Sequence, residues 1–330
     1  MPSDRSPKLT VKNWVRKIRR GDARAVARAC SMIENEEPES ERILRGLYPF
    51  SGNSMVIGIT GPPGAGKSTL LSCLVAEALS NRYKVGVIAV DPSSPVSGGA
   101  LLADRLRIGG AHSREVYIRS VATRGTLGGL AYASFGILRV LEAMGKDIIF
   151  VETVGAGQNE IAVSKLATTT VFVTVPNLGD EIQAMKAGIL EVSDIFVVNK
   201  SDLGNHETAI SQLRFALTLK DPLESPAPPP AGLRGAWKFP ILPASALQRK
   251  GIAQVFFSIV NHQRSLRSSG ELEIRIRRQV RAELFYILEK KLAVEIQSRL
   301  TDKILDSLAR KRTDPHSLAN LMISAKKRRR

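Results

Sequence analysis

The segment Gly61-Pro62-Pro63-Gly64-Ala65-Gly66-Lys67-Ser68-Thr69 restricts this chain more than any other part of it. It fits the pattern G-x-x-x-x-G-K-S/T and lies between an apolar run, Met55 to Thr60, and a helix-forming run, Lys67 to Ser80. Short glycine patterns arise by chance, but a strand before this one and a helix after it specify a phosphate loop. Gly61, Gly64 and Gly66 permit the tight turn and, with Ala65, leave backbone N–H groups free to face phosphate oxygens. The amino end of the following helix favours an anion. Lys67 brings positive charge to the terminal phosphates, Ser68 offers a hydroxyl to magnesium, and Thr69 completes the motif.

The surrounding pattern sets the fold class. Apolar runs at Met55–Thr60, Val85–Val90, Ile148–Glu152, Thr170–Val175 and Ile195–Val198, with a short one at Phe239–Leu242, read as strands. Helical stretches intervene at Lys67–Ser80, Leu130–Met144, Asp180–Glu191 and Glu207–Leu219. Runs apolar on both faces and joined by helical crossovers specify an α/β chain with the three-layer P-loop core, a mostly parallel sheet between helices. Loops at the carboxyl ends of such strands gather on one rim, where ligands bind. Residues 1–50 read as a helical extension, with Val11, Trp14, Val15 and Ile18 on one helical face. Residues 51–262 form the expected nucleotide-binding domain and residues 263–330 a helical C-terminal region. Pro226 to Pro230 interrupts the domain as a surface loop. The stripe Ile276, Val280, Leu284, Leu288 and Leu292 needs a surface to pack on, and both monomer core and dimer interface remain open.

Other positions converge on the same rim. Asp91 and Glu152 each end a strand, and carboxylates there suit magnesium, directly or through water. Glu152-Thr153-Val154-Gly155 has the shape of a loop that senses a terminal phosphate, with the Gly155 N–H approaching it. Asn199-Lys200-Ser201-Asp202 follows the strand Ile195–Val198. Guanine presents a ring N–H beside an exocyclic amine, and the Asp202 carboxylate can accept both hydrogens. Adenine lacks that pair and would leave the carboxylate desolvated beside an acceptor. Asn199 is expected to hold the loop and meet the other base edge, while the Lys200 stem covers the ring. Ser245-Ala246 forms the second wall, with a backbone N–H toward the guanine oxygen.

The expected reaction is hydrolysis of GTP to GDP with magnesium, by in-line attack of water. Lys67 and backbone donors stabilise the transferred charge. No glutamine directly follows Gly155; Gln158 lies beyond that slot, and Arg119 or Arg124 could supply charge only after rearrangement. Slow intrinsic turnover is therefore expected.

Composition removes several other classes. Lys plus Arg total 48 against 31 Asp plus Glu, a net charge of +17, which favours polyanions or an acidic partner. Aromatic residues make up only 5%, and no basic stretch is interleaved with stacking side chains, so nucleic acid is not the expected partner. A nucleotide-dependent nucleic-acid-binding module is the rival from another class, favoured by a salt-resistant DNA complex. Cys30 and Cys73 form no metal-ligand pattern, and the setting expected for them is a reducing cytoplasm. No apolar stretch reaches the roughly 20 residues needed to cross a bilayer. His112, His206, His262 and His316 are scattered, without the metal-binding tract that would favour a nickel-insertion GTPase chaperone.

The combined stretches Gly61–Thr69, Val87–Gly99, Glu152–Glu160, Gly179–Gly188 and Asn199–Asp202 resemble those of the MeaB/ArgK family of P-loop GTPases. The resemblance implies an accessory chaperone of an adenosylcobalamin-dependent acyl-CoA mutase, gating delivery of the cofactor and protecting or reactivating it. It also implies a homodimer joined by C-terminal helices. Its magnesium acids map to Asp91, Asp104 and Glu152, with Ser68. Its first switch maps to the stretch from Ser97 to Gly129, and its third mobile segment contains Asp180, Glu181 and Lys186. The chain departs from the family pattern at Ala156, Asn159 and Pro176-Asn177-Leu178.

Overall fold

The computed structural model describes residues 10–91, 115–122, 132–153, 162–176, 187–218 and 237–324. Its sheet contains β1 (Met55–Thr60), β2 (Val85–Asp91), β3 (Val116–Ala122), β4 (Ile148–Thr153), β5 (Thr169–Thr174), β6 (Ile195–Val198) and β7 (Ile241–Pro243). Their order is β3-β2-β4-β1-β5-β6-β7. Every neighbouring pair is parallel, so the carboxyl ends all open on one rim. The chain leaves β1 toward β2 on one side and β4 toward β5 on the other. The ends of these two neighbours therefore border a crevice where an open α/β sheet binds its ligand.

Helices α1 (Val11–Arg19), α2 (Ala23–Glu34) and α3 (Pro38–Leu47) precede the sheet. Between strands come α4 (Lys67–Ser80), α5 (Tyr132–Ala143), α6 (Ala187–Val192) and α7 (His206–Thr218). After the sheet come α8 (Ile252–Ser269), α9 (Glu271–Arg299), α10 (Asp302–Ala309) and α11 (Pro315–Ser324). On one face of the sheet α4 and α8 bury Leu70, Leu74, Val75, Val255 and Ile259 against Ile57, Ile59, Phe150 and Val173. Each such aliphatic side chain contributes about 1.5 to 3 kcal/mol on burial. A second cluster joins Phe172, Phe196 and Val198 to Ile189 of α6 and to Ala209 and Leu213 of α7. Strands covered on both faces explain why their sequences are apolar throughout rather than alternating.

Patterning in the sequence misses β3. Arg119 and Ser120 break its apolar run, and its charge is neutralised by a residue remote in sequence. The Arg119 guanidinium donates to both carboxylate oxygens of Glu34 on α2, at 2.7 and 2.9 Å, and to Ser31 Oγ at 3.1 Å. This corrects the expectation that Arg119 belongs to a mobile stretch near the phosphates, because it ties β3 to the helical prefix. The chain divides into two compact units, Met1–Gln279 and Val280–Arg330. The first holds the prefix and the sheet. In the second, Arg299 pairs with Glu295 at 2.6 Å, while Leu284, Phe285, Leu288, Leu292 and Ile296 are exposed. Among the described residues no helix is long and apolar enough to cross a membrane.

Candidate nucleotide site

The phosphate loop connects β1 to α4, and its backbone explains its glycines. Gly66 is the N-cap of α4 with φ of 83°, a left-handed conformation that a side chain would strain. A Cβ on Gly66 would also stand 2.5 Å from Asn199 Nδ2, so the base loop approaches the phosphate loop too closely for any side chain. Gly61, at φ of 139°, lies against the Val173 carbonyl of β5. Lys67 is buried, and its Nζ donates to the carbonyl oxygens of Gly61 at 2.7 Å and Pro62 at 2.9 Å. The ammonium thus stands across the mouth of the loop, held by acceptors that phosphate oxygens can replace.

Ser68 Oγ donates to Glu152 Oε1 at 2.7 Å. Glu152 sits at the end of β4, in register with Ile59 of β1 and Ala89 of β2, and is 1% exposed. Burial raises its pKa, against the lowering effects of the Ser68 hydrogen bond and the Lys67 charge. Its second oxygen, Oε2, is buried without a hydrogen-bond partner among the described residues. Thr153 Oγ1 and Thr174 Oγ1, at the ends of β4 and β5, are in the same condition. Buried carboxylate oxygens rarely stay unsatisfied, and this one fits a hard cation or its bound water. A serine hydroxyl in the first turn of α4 and an open carboxylate oxygen at the end of β4 form a donor set suited to magnesium. Thr153 lies in the phosphate-sensing motif but was given no role of its own, and Thr174 lies in no motif; both stand at carboxyl ends of the parallel strands.

At the other end of the rim, Asn199 acts as a strut. Its Nδ2 donates to Ala65 O at 2.9 Å, and its Oδ1 accepts from Ala246 N at 3.0 Å. Both polar atoms of this buried side chain hold the phosphate loop to the second wall, and the amide keeps a second N–H and a second lone pair with which to meet the base. Lys200 follows with φ of 57°, turning the chain so that Ser201 N reaches Ala244 O at 3.0 Å. Asp202 is exposed, and its carboxyl is held below the usual range by a hydrogen bond with Ser245 and by its own backbone. Ser245 is buried, and its Oγ accepts from Gln248 N at 3.2 Å. Asp202 therefore remains ionised, as an acceptor of paired N–H groups must be. Cys73 is half-buried in α4 against the core, with Sγ 3.3 Å from the Ala246 carbonyl, supporting the same wall.

Asp104 and Gly155 lie outside the described residues, as do Arg124, Gln158, Asp180, Glu181 and Lys186. The backbone of Asp91 ends β2 opposite Ala122, on the rim that carries Glu152, and its side chain is outside the description. Thr69 continues α4 after Ser68. Among the described residues, no three His, Cys, Asp or Glu side chains gather as a ready-made metal cluster.

Residues 26–301 match the family model described as methylmalonyl Co-A mutase-associated GTPase MeaB. This chain belongs to that family. A putative GTPase of Pyrococcus abyssi is 42% identical over 94% of this chain and 94% of its own length. The mouse protein named methylmalonic aciduria type A homolog, mitochondrial, is 33% identical over 71% of this chain and 55% of its own. A solved structure titled LAO/AO transport system kinase superposes with a TM-score of 0.67 at 26% identity, covering 97% of this chain and 99% of the other. As a MeaB-family member the chain is a GTP-hydrolysing enzyme, and its family implies binding of GTP and GDP with magnesium. Family membership also supports a nucleotide-dependent chaperone role.

Proposed function

We propose that this GTPase uses nucleotide hydrolysis to chaperone an adenosylcobalamin-dependent acyl-CoA mutase, in loading, protecting or reactivating its cofactor. The match of residues 26–301 to a mutase-associated GTPase model carries this reading. The name of the mouse relative, which refers to a methylmalonic aciduria, is in keeping with it.

In the proposed cycle Asp202 accepts the paired guanine hydrogens while Lys200 covers the ring and the Ala246 loop faces the base oxygen. Asn199 keeps the base and phosphate pockets at a fixed separation, so that base binding positions the triphosphate. Lys67 exchanges its carbonyl acceptors for phosphate oxygens and follows the charge that develops on the transferred group. Ser68 and Glu152, with Asp91 and Asp104, would hold magnesium directly or through water, and the ion would supply positive charge to the phosphates. The Gly155 N–H contacts the terminal phosphate, and its loss on hydrolysis releases the loop. No glutamine occupies the position after Gly155, so intrinsic hydrolysis is slow and the partner supplies the missing stimulation. The active form is a homodimer joined through residues of the C-terminal region, 263–330.

The test is GTP turnover by the full chain with and without a cobalamin-dependent mutase. The proposal expects faster turnover in the presence of the mutase and a co-purifying complex with GTP and magnesium. Equal rates and no complex would overturn it while leaving the GTPase intact.

A further inference from the structure

A groove of about 620 Å³ runs along α1 where it meets α3 and the turn Tyr48–Phe50, remote in sequence from every nucleotide-binding motif. Its floor is apolar, formed by Val11, Val15 and the ring of Phe50. Its rim is cationic: Lys12, Arg16, Arg19 and Arg20 line it, and among the described residues no acidic side chain does. The helical repeat dictates this arrangement. Residues 12, 16, 19 and 20 fall at spacings of three and four beside the apolar positions 11 and 15, so one face of α1 presents both.

Like charges gathered on one helix face destabilise the free protein, since cations at these spacings repel. Two of them are partly occupied: Arg16 donates to Asn13 Oδ1 at 3.1 Å, and the Arg19 guanidinium lies 3.9 Å from the centre of the Phe50 ring. Neither partner carries negative charge. The groove thus keeps a net positive field over a floor that an apolar side chain can cover.

We propose that this groove docks an acidic segment of a partner protein, one that sets an aliphatic side chain on the floor between carboxylates on the rim. Charge complementarity chooses this occupant. A second copy of the chain, at +17, and the chain's own basic end, Lys326-Lys327-Arg328-Arg329-Arg330, carry the wrong sign. Nucleic acid would gain from the charge, but among the described lining residues Phe50 is the one aromatic ring and Arg19 lies over one of its faces, whereas successive bases need a series of rings to stack on. The inference does not depend on which enzyme the GTPase serves, and the site lies on the prefix rather than at the nucleotide rim.

A fluorescein-labelled synthetic peptide of Glu, Asp and Leu, titrated into the full chain by anisotropy, tests it. The double variant Lys12→Glu with Arg20→Glu alters only exposed side chains, and binding should weaken about tenfold or more. Arg214→Glu, a reversal on the exposed face of α7, should leave peptide binding unchanged within twofold. A peptide with Leu replaced by Ser should bind more weakly than its parent. Nucleotide binding by Lys12→Ala with Arg20→Ala should equal the wild type, showing that the fold is intact, while peptide binding still drops. The proposal is overturned if the Leu peptide does not bind, if Arg214→Glu weakens it as much as the groove variants, or if the Ser peptide binds equally well. It is also overturned if duplex or single-stranded DNA displaces the peptide from the groove at equal charge concentration, which would assign the site to polyanions in general.

Discussion

The two ends of the central strands solve the same problem in opposite ways. At the carboxyl ends, Glu152 Oε2, Thr153 Oγ1 and Thr174 Oγ1 are buried without partners among the described residues, and Lys67 rests on backbone carbonyls. At the amino ends, buried polar groups are saturated. Asp194, just before β6, accepts from Thr170 N at 2.8 Å and from Arg275 at 2.8 and 2.9 Å. Arg275 also reaches Thr168 O at 2.8 Å and Glu271 Oε1 at 2.8 Å. His262 lies 2.8 Å from Thr169 Oγ1, 3.5 Å from Asp194 and beneath Trp237, whose Nε1 donates to Asp194 O at 3.0 Å. A network complete in itself fastens helices to the sheet. An incomplete one is poised for something the protein binds, and the difference identifies the working end of the molecule.

Substitutions at the two ends should therefore separate function from stability. Lys67→Ala should have the largest effect, lowering GTP turnover by about 10³-fold with little change in thermal stability, since its Nζ donates to carbonyl oxygens of the phosphate loop itself. Phosphate-release assays and a melting curve on the same preparation check both halves of that statement. Arg275→Ala should do the reverse, leaving Asp194 buried without its charge partner. Urea unfolding should show a loss of about 3 kcal/mol, with the nucleotide affinity of the folded fraction unchanged.

Asp202→Asn comes next and tests whether the rim reads the base. An amide in place of the carboxylate meets the guanine hydrogens with a donor, so GTP affinity should fall about 10²-fold while ATP affinity does not. Competition calorimetry distinguishes this from a general loss of nucleotide binding.

The contrast between the ends also explains what could be read in advance. Contiguous motifs announced Gly61–Thr69 and Asn199–Asp202, because each packs its chemistry into a single turn. The alternation of apolar runs and helices announced the parallel sheet, since burial on both faces leaves little freedom in composition. The amino-end network is spread over Thr168, Asp194, His262 and Arg275, which share no spacing rule, and His262 looked like one of four scattered histidines. β3 was hidden by Arg119, whose partner Glu34 sits on a helix far earlier in the chain. Asn199 was legible as the residue that holds the base loop, but its partners were not, because its acceptor and donor come from two other loops.

A smaller effect probes the amino-end network by pH. Burial lowers the His262 pKa to about 4, opposed by Asp194 and aided by Arg275. An unfolded histidine titrates near 6.5, so the folded state disfavours the protonated ring. Its contribution is full above the unfolded value and is lost as pH falls from there toward the folded one. Between pH 7 and pH 5 the wild type should lose about 2 kcal/mol through this residue, and His262→Gln should flatten that slope in urea titrations at the two pH values.

The most direct test concerns Glu152, whose substitution by glutamine should change stability least. Its raised pKa means that the ionised carboxylate is held at a cost, and stability from this group is fullest below the unfolded pKa and falls as pH rises through the folded one. At neutral pH, Glu152→Gln keeps an acceptor for Ser68 but removes the buried charge and one metal-binding oxygen. The melting temperature of the nucleotide-free protein should hold or rise, while the dependence of GTP affinity on magnesium, measured by calorimetry, should largely disappear. A fall in melting temperature with magnesium dependence retained would contradict the account, since Glu152 would then be a structural residue.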